Sequence, residues 1–137
     1  MIVFDTNVAS ELMKVTPDEA VWNWIVQQSR DELCITAITV TEIRYGIERI
    51  PAGRRKVRMS EAADLVFDQF GGNILPFDTA AAEICPQVIL ERERKGLPIE
   101  PFDAQIAAIC RAGQMALATR NIKDFLETGV ELVNPWE

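Results

Sequence analysis

Ile2-Val3-Phe4-Asp5-Thr6-Asn7 is the stretch on which the fold turns. Three apolar residues in succession read as a short strand buried on both faces. Asp5 follows at once, then Thr6 and Asn7, and Val8 to Met13 reads as a short helix. A carboxylate is therefore held where a strand gives way to a helix. In an open parallel sheet, ligands bind there, outside the carboxyl ends of the strands. Asp is also a favoured cap for a helix N-terminus, so Asp5 has a structural reading beside the functional one.

Outward from that stretch, strands and helices alternate. Thr16-Pro17-Asp18-Glu19 has the form of a helix start, with Thr as cap, Pro at the first position and Glu closing a capping box. That helix is expected to run to about Ser29 with Val21, Trp22, Ile25 and Val26 inward. Trp22 and Trp24 are two apart and face different sides, one toward the core and one toward an interface. Leu33-Cys34-Ile35 reads as the second strand. Thr39-Val40-Thr41-Glu42 reads as another capping box, opening a helix with Val40, Ile43, Ile47 and Ile50 as its stripe.

Arg54 to Phe70 forms the next helix, with Gly71-Gly72 as its stop. Ile74-Leu75-Pro76-Phe77 is a strand that its proline assigns to a sheet edge. Asp78 caps a helix reaching Lys95. Pro86 lies inside it, at a cost of ~3 kcal/mol, and predicts a bend. Pro101-Phe102-Asp103 begins a helix with Phe102, Ile106, Ile109 and Cys110 inward. Met115 to Ala118 is a strand, Thr119 to Phe125 a turn into one short helix, and Glu131-Leu132-Val133 a last strand. The alternation predicts an α/β fold with a parallel sheet.

The 137 residues are expected to form one domain, residues 1–137. No apolar run approaches the ~20 residues that span a bilayer. Met1 leads straight into the first strand, so no signal peptide, no membrane partner and a cytoplasmic location are expected. Cys34, Cys85 and Cys110 are far apart among apolar neighbours and read as buried thiols. Histidine is absent, which removes Ser-His and Cys-His nucleophiles, two-histidine metal sites and histidine-based cleavage of RNA. A net charge of −7 argues against nucleic acid. Two local basic runs, Arg54-Arg55-Lys56-Val57-Arg58 and Arg92-Glu93-Arg94-Lys95, argue the other way.

The informative pattern is where four acids fall. Asp5, Glu42, Asp103 and Asp124 all stand near helix starts. Singly, each is explained by capping and by the helix dipole, worth ~0.3–1 kcal/mol. Together they change the balance. In a parallel sheet the strand-to-helix turns share one rim, so Asp5, Glu42 and Asp124 can meet there. Asp103 follows a helix-to-helix loop. Carboxylates within ~6 Å repel unless a cation sits between them. Oxygen-only ligands select magnesium or manganese, which also bind phosphate oxygens. An acid-only site is what a metal-dependent phosphodiester hydrolase needs.

Asp5-Thr6-Asn7, Thr41-Glu42, Pro101-Phe102-Asp103-Ala104-Gln105-Ile106-Ala107-Ala108 and Leu117-Ala118-Thr119-Arg120-Asn121-Ile122-Lys123-Asp124-Phe125 resemble the PIN-domain ribonucleases. Among these the chain is similar to the VapC-type toxins of type II toxin–antitoxin pairs, in the FitB-like branch with its terminal Asn134-Pro135-Trp136. The resemblance covers the whole chain. It implies a single PIN-like, three-layer α/β/α domain with about five parallel strands and the first strand central. It implies Mg2+- or Mn2+-dependent cleavage of RNA, homodimerisation, and a cognate antitoxin that neutralises the toxin in a larger assembly. Asp5, Glu42 and Asp103 match the three acids the family shares. The fourth position falls to either Asn121 or Asp124.

On this reading Asp5 and Asp103 are direct metal ligands, Glu42 holds a water or a second ion, and Asp124 acts through water. Thr6 and Thr119 orient ligands or the attacking water, or bond backbone in their turns. Asn7 reaches a substrate phosphate or ties up its own turn. Arg44, Arg120 and the Arg54–Arg58 run contact RNA phosphate or remain solvated. Two rivals stand beside it. A haloacid-dehalogenase-like phosphatase needs a second Asp where this chain has Asn7. A catalytically silent PIN-like module would bind RNA or protein without cleaving.

Overall fold

The strand at Ile2–Phe4 (β1) lies at the centre of the sheet, and the rest is laid out from it. The computed structural model describes Met1 to Glu137. After β1 come α1 (Thr6–Glu11), α2 (Glu19–Val26), β2 (Leu33–Thr36), α3 (Ala37–Glu48) and α4 (Arg54–Phe70). Then follow β3 (Ile74–Leu75), α5 (Thr79–Arg94), α6 (Pro101–Ala112), β4 (Ala116–Ala118) and β5 (Leu132–Val133). Short 3-10 turns occupy Arg30–Glu32, Gly71–Asn73 and Ile122–Phe125.

The five strands run in the order β3-β2-β1-β4-β5, all parallel. The chain builds from β1 out to β3, then returns to lay β4 on the other side of β1. Strand order therefore reverses between β1 and β4, which is where an open α/β sheet forms its ligand crevice. The register pairs Phe4 with Ala118. Asp5 and Thr119 are thus the first residues beyond two adjacent strand ends, and Asp5 N–H donates to the Ala118 carbonyl at 2.9 Å.

The alternation of strand side chains sorts two apolar layers. Phe4, Ile35 and Ala118 pack with Val8, Ile43, Ile47, Val66 and Phe70, joining α1, α3 and α4 to one face. Val3, Cys34 and Leu117 pack with Val88, Ile106, Ala107 and Cys110, joining α5 and α6 to the other. The result is the expected three-layer α/β/α arrangement. The short strands β3 and β5 form the edges, as Pro76 predicts for β3. Gly71, at φ 49°, ends α4 in a conformation that favours glycine. All three cysteines are free and buried. No helix is long and apolar enough to cross a membrane.

Local starts differ from the sequence reading at several places. The cap of α2 is Asp18, not Thr16: its Oδ1 accepts from Ala20 N at 2.9 Å and Val21 N at 3.3 Å. Glu11 Oε1 fixes this start by accepting from Asp18 N at 2.7 Å. With that start, Val21 is buried and Trp24 and Ile25 pack against the core, while Trp22 and Val26 are exposed. Likewise α3 begins directly after β2. Thr36 Oγ1 accepts from Thr39 N at 3.1 Å, so Glu42 lies in the second turn and closes no capping box. Phe102 is exposed, because burial along α6 begins only at Ala104. The helix containing Pro86 runs as one element from Thr79 to Arg94.

Phe4 joins the sheet to the helices on its face. Its ring centroid lies 5.8 Å from those of both Trp24 and Phe70, and the side chain is fully buried. Phe4→Ala is expected to cost about 3–5 kcal/mol. Urea unfolding checks this, and a loss below about 1 kcal/mol would show that the site collapses around the cavity.

Candidate active site

Asp5 is buried at the mouth of the β1–β4 crevice. Its Oδ1 accepts from Thr6 N at 2.8 Å, so it does cap α1. Its Oδ2 accepts from Thr119 Oγ1 at 2.7 Å and from Asn7 Nδ2 at 3.2 Å. The capping reading of Asp5 therefore holds through one oxygen, while the other is held by two side-chain donors. Thr119 is fully buried, and its oxygen in turn accepts from Asn121 N at 3.0 Å. Asn7 Oδ1 accepts from Arg120 N at 3.2 Å, which closes α1 onto the loop after β4. Burial raises the Asp5 pKa, the bonds from Thr119, Thr6 and Asn7 pull it back, and the Asp124 charge adds to the rise.

Glu42 comes from the next strand-to-helix connection. Its Oε1 accepts from Thr6 Oγ1 at 2.8 Å. That commits the only hydroxyl proton of Thr6, so in the 3.1 Å contact between Thr6 Oγ1 and Thr39 Oγ1 the donor is Thr39. Burial raises the Glu42 pKa, the Thr6 bond lowers it and the Asp5 charge raises it. Thr39, which reads in the sequence as a cap, is a fully buried hydroxyl supporting the acid pair. Its only sequence signal is the cluster Thr36, Thr39, Thr41 after an apolar strand.

Asp103 stands half-buried in the first turn of α6. Burial, then the charges of Asp5, Glu42, Asp124 and Glu100, push its pKa from 3.8 up to about 7. No hydrogen bond offsets them. The fold has thus brought four acids from four connections into mutual electrostatic reach. No three of them close into a ready-made metal cage. Two of the cations named from the sequence have partners outside the acid cluster. Arg44 pairs with Asp64 at 2.6 Å and lies over Phe67, and Arg120 lies over the Trp136 ring at 5.1 Å. Asn121 is exposed and meets the site through its backbone N–H. Arg55, one of an undifferentiated basic run in the sequence, lines a cleft with Thr6 and Glu42.

Residues 2–130 match the family description "PIN domain". The chain belongs to the PIN-domain family. It is 38% identical over 138 residues to "VapC ribonuclease Y4jK" of Sinorhizobium fredii, covering 100% of this chain and 99% of that one. It is 34% identical to "Toxin FitB" of Neisseria gonorrhoeae, covering 99% of each. Its fold superposes on the crystal structure of FitAcB from Neisseria gonorrhoeae with a TM-score of 0.91 at 33% identity, covering 100% of this chain and 99% of that one.

The donor set of this PIN domain fits a hard divalent cation. It is oxygen-only and acidic, and Asp103 has no protein donor to satisfy its charge. A raised folded-state pKa means the folded state binds more protons than the unfolded state. The stability that Asp103 contributes is full below its ordinary value of 3.8 and is lost as pH rises through about 7. The metal-free protein should therefore melt lower at pH 8 than at pH 5, and Asp103→Asn should flatten most of that slope. Thermal unfolding across this range checks it; a slope unchanged in the variant would assign the effect to another group.

Proposed function

We propose that this chain is a Mg2+- or Mn2+-dependent endoribonuclease and the toxin of a toxin–antitoxin pair. One observation supports the metal reading: four acids lie within electrostatic reach of one another, and burial together with the charges of Asp5, Glu42 and Asp124 pushes the Asp103 pKa up to about 7. Asp5 and Asp103 would hold the ion. Glu42 would hold a water or a second ion, and Asp124 would act through water. Bound there, the ion supplies Lewis-acid activation of a water for attack on phosphorus and neutralises charge on the phosphate.

The rest is done by the chain's own side chains. Thr119 and Asn7 aim the Oδ2 of Asp5, and Thr6 aims Glu42. Asn121 is neutral, so three acids and a more distant Asp124 suit one ion in the free protein, with a second entering only with RNA. The substrate is RNA and the protein partner is a cognate antitoxin. We expect a homodimer, a larger assembly with the antitoxin, and a cytoplasmic location. Trp22, Val15 and Leu65 are exposed, and that apolar surface suits a protein partner.

Asp5→Ala and Asp103→Ala should each abolish cleavage of RNA in manganese while leaving the circular dichroism spectrum unchanged. Asp124→Asn should lower the rate by about 10- to 100-fold. A near wild-type rate in either alanine variant would remove the ligand assignment. Wild-type protein that binds manganese and never cuts RNA would favour the silent module.

A further inference from the structure

Arg92, on α5, is the only buried cation of the chain, at 4% exposure. It belongs to no ion pair. Its Nη1 donates to the Leu126 carbonyl at 2.7 Å and, more loosely, to the Lys123 carbonyl at 3.4 Å. Its Nε has no partner at all. A guanidinium buried without a carboxylate is an expensive way to fill a core. Burying a charge costs a great deal unless it is paired and hydrogen-bonded. Packing alone therefore does not explain an arginine here.

The explanation lies in what the guanidinium grips. Lys123 and Leu126 bracket Asp124, which rides on the 3-10 turn Ile122–Phe125. That turn has no side-chain cap of its own, and it is followed by Glu127 in the left-handed region at φ 63°. Few bonds of its own hold it: Asp124 N donates to the Asn121 carbonyl at 3.0 Å, and Thr128 Oγ1 to the Phe125 carbonyl at 2.7 Å. Arg92 reaches in from a 16-residue helix and fixes the carbonyls on either side of the acid.

We infer that Arg92 is a positioning residue for the acid site: by anchoring the turn to α5 it sets where Asp124 stands relative to Asp5 and Asp103. This rests on the proposed part of Asp124 in the metal site. Arg92 itself touches neither ion nor substrate.

A double-mutant cycle on the full chain tests it, with Arg92→Met, Asp124→Asn and the pair, and with Asp5→Ala as the control for the nuclease reading. The readouts are RNA cleavage, manganese affinity by calorimetry and amide exchange. Arg92→Met should lose about 10-fold in cleavage rate, the lower end for outer-shell partners, and weaken manganese binding. Adding Asp124→Asn should then cost nothing beyond Asp124→Asn alone, because residues that act through one another are not additive. The amides of Asp124 and Phe125 should exchange faster while those of β1 and β4 keep their protection. If Arg92→Met does not fold, Arg92→Lys, which keeps the charge and one donor, carries the same cycle.

Multiplying losses in the pair would overturn the inference, as would a lowered melting temperature with manganese affinity intact. Wild-type behaviour of Asp124→Asn overturns it too, and leaves the nuclease reading standing as long as Asp5→Ala is dead. An active Asp5→Ala would instead remove the nuclease reading itself.

Discussion

Asp5 accepts hydrogen bonds from Thr6, Asn7 and Thr119, and Asp103 accepts none; the site depends on that inequality. Burial raises the Asp5 pKa, and donors that bond the charged form work against that rise on its carboxylate. That anion is the largest single charge pushing Asp103 up. The fold thus gives one acid three donors and leaves its neighbour with none. Such an arrangement costs the free protein stability at neutral pH, a frequent compromise at functional sites.

The topology makes the inequality possible. The Phe4–Ala118 register sets Thr119 beside Asp5, so the sheet itself supplies the strongest of its side-chain donors. Glu42 arrives from the second turn of α3, Asp103 from the start of α6 and Asp124 from the turn after β4. None is close to another in sequence. Thr6 links two of these connections, capped by Asp5 through its N–H and bonded to Glu42 through its hydroxyl. Because the acids come from separate elements, three of them have their own anchors, and Asp103 has none. Thr119 and Asn7 serve Asp5, Thr6 with Thr39 serves Glu42, and Arg92 holds the turn of Asp124.

Much of this was legible in the sequence where a local signal has one meaning. Ile2-Val3-Phe4 reads as a buried strand and forms one, Asp78 before an apolar helix is its cap, and Gly71 is a stop. The four acids were legible because their pattern is chemical and does not depend on packing. Ambiguity entered where two residues offered the same local chemistry. Thr16 and Asp18 both suit a cap, and only the contact of Asp18 N with Glu11, seven residues back, decides between them. That choice also decides whether Trp22 or Trp24 enters the core. Thr36 and Thr39 present the same problem at α3. Arg92 was beyond reach, because within Arg92-Glu93-Arg94-Lys95 it looks like part of a solvated basic run. Only the packing of α5 against the turn after β4 shows it buried.

In the proposed metal site Asp5 and Asp103 share one divalent cation, which would relieve the burial and like charge at Asp103. Anomalous scattering from crystals of the free protein soaked in manganese tests it most directly. The account predicts one strong peak, ligated by Asp5 and Asp103, with Asp124 reaching it only through water. Two fully occupied peaks with Asp124 as a direct ligand, or manganese that avoids Asp103, would contradict it.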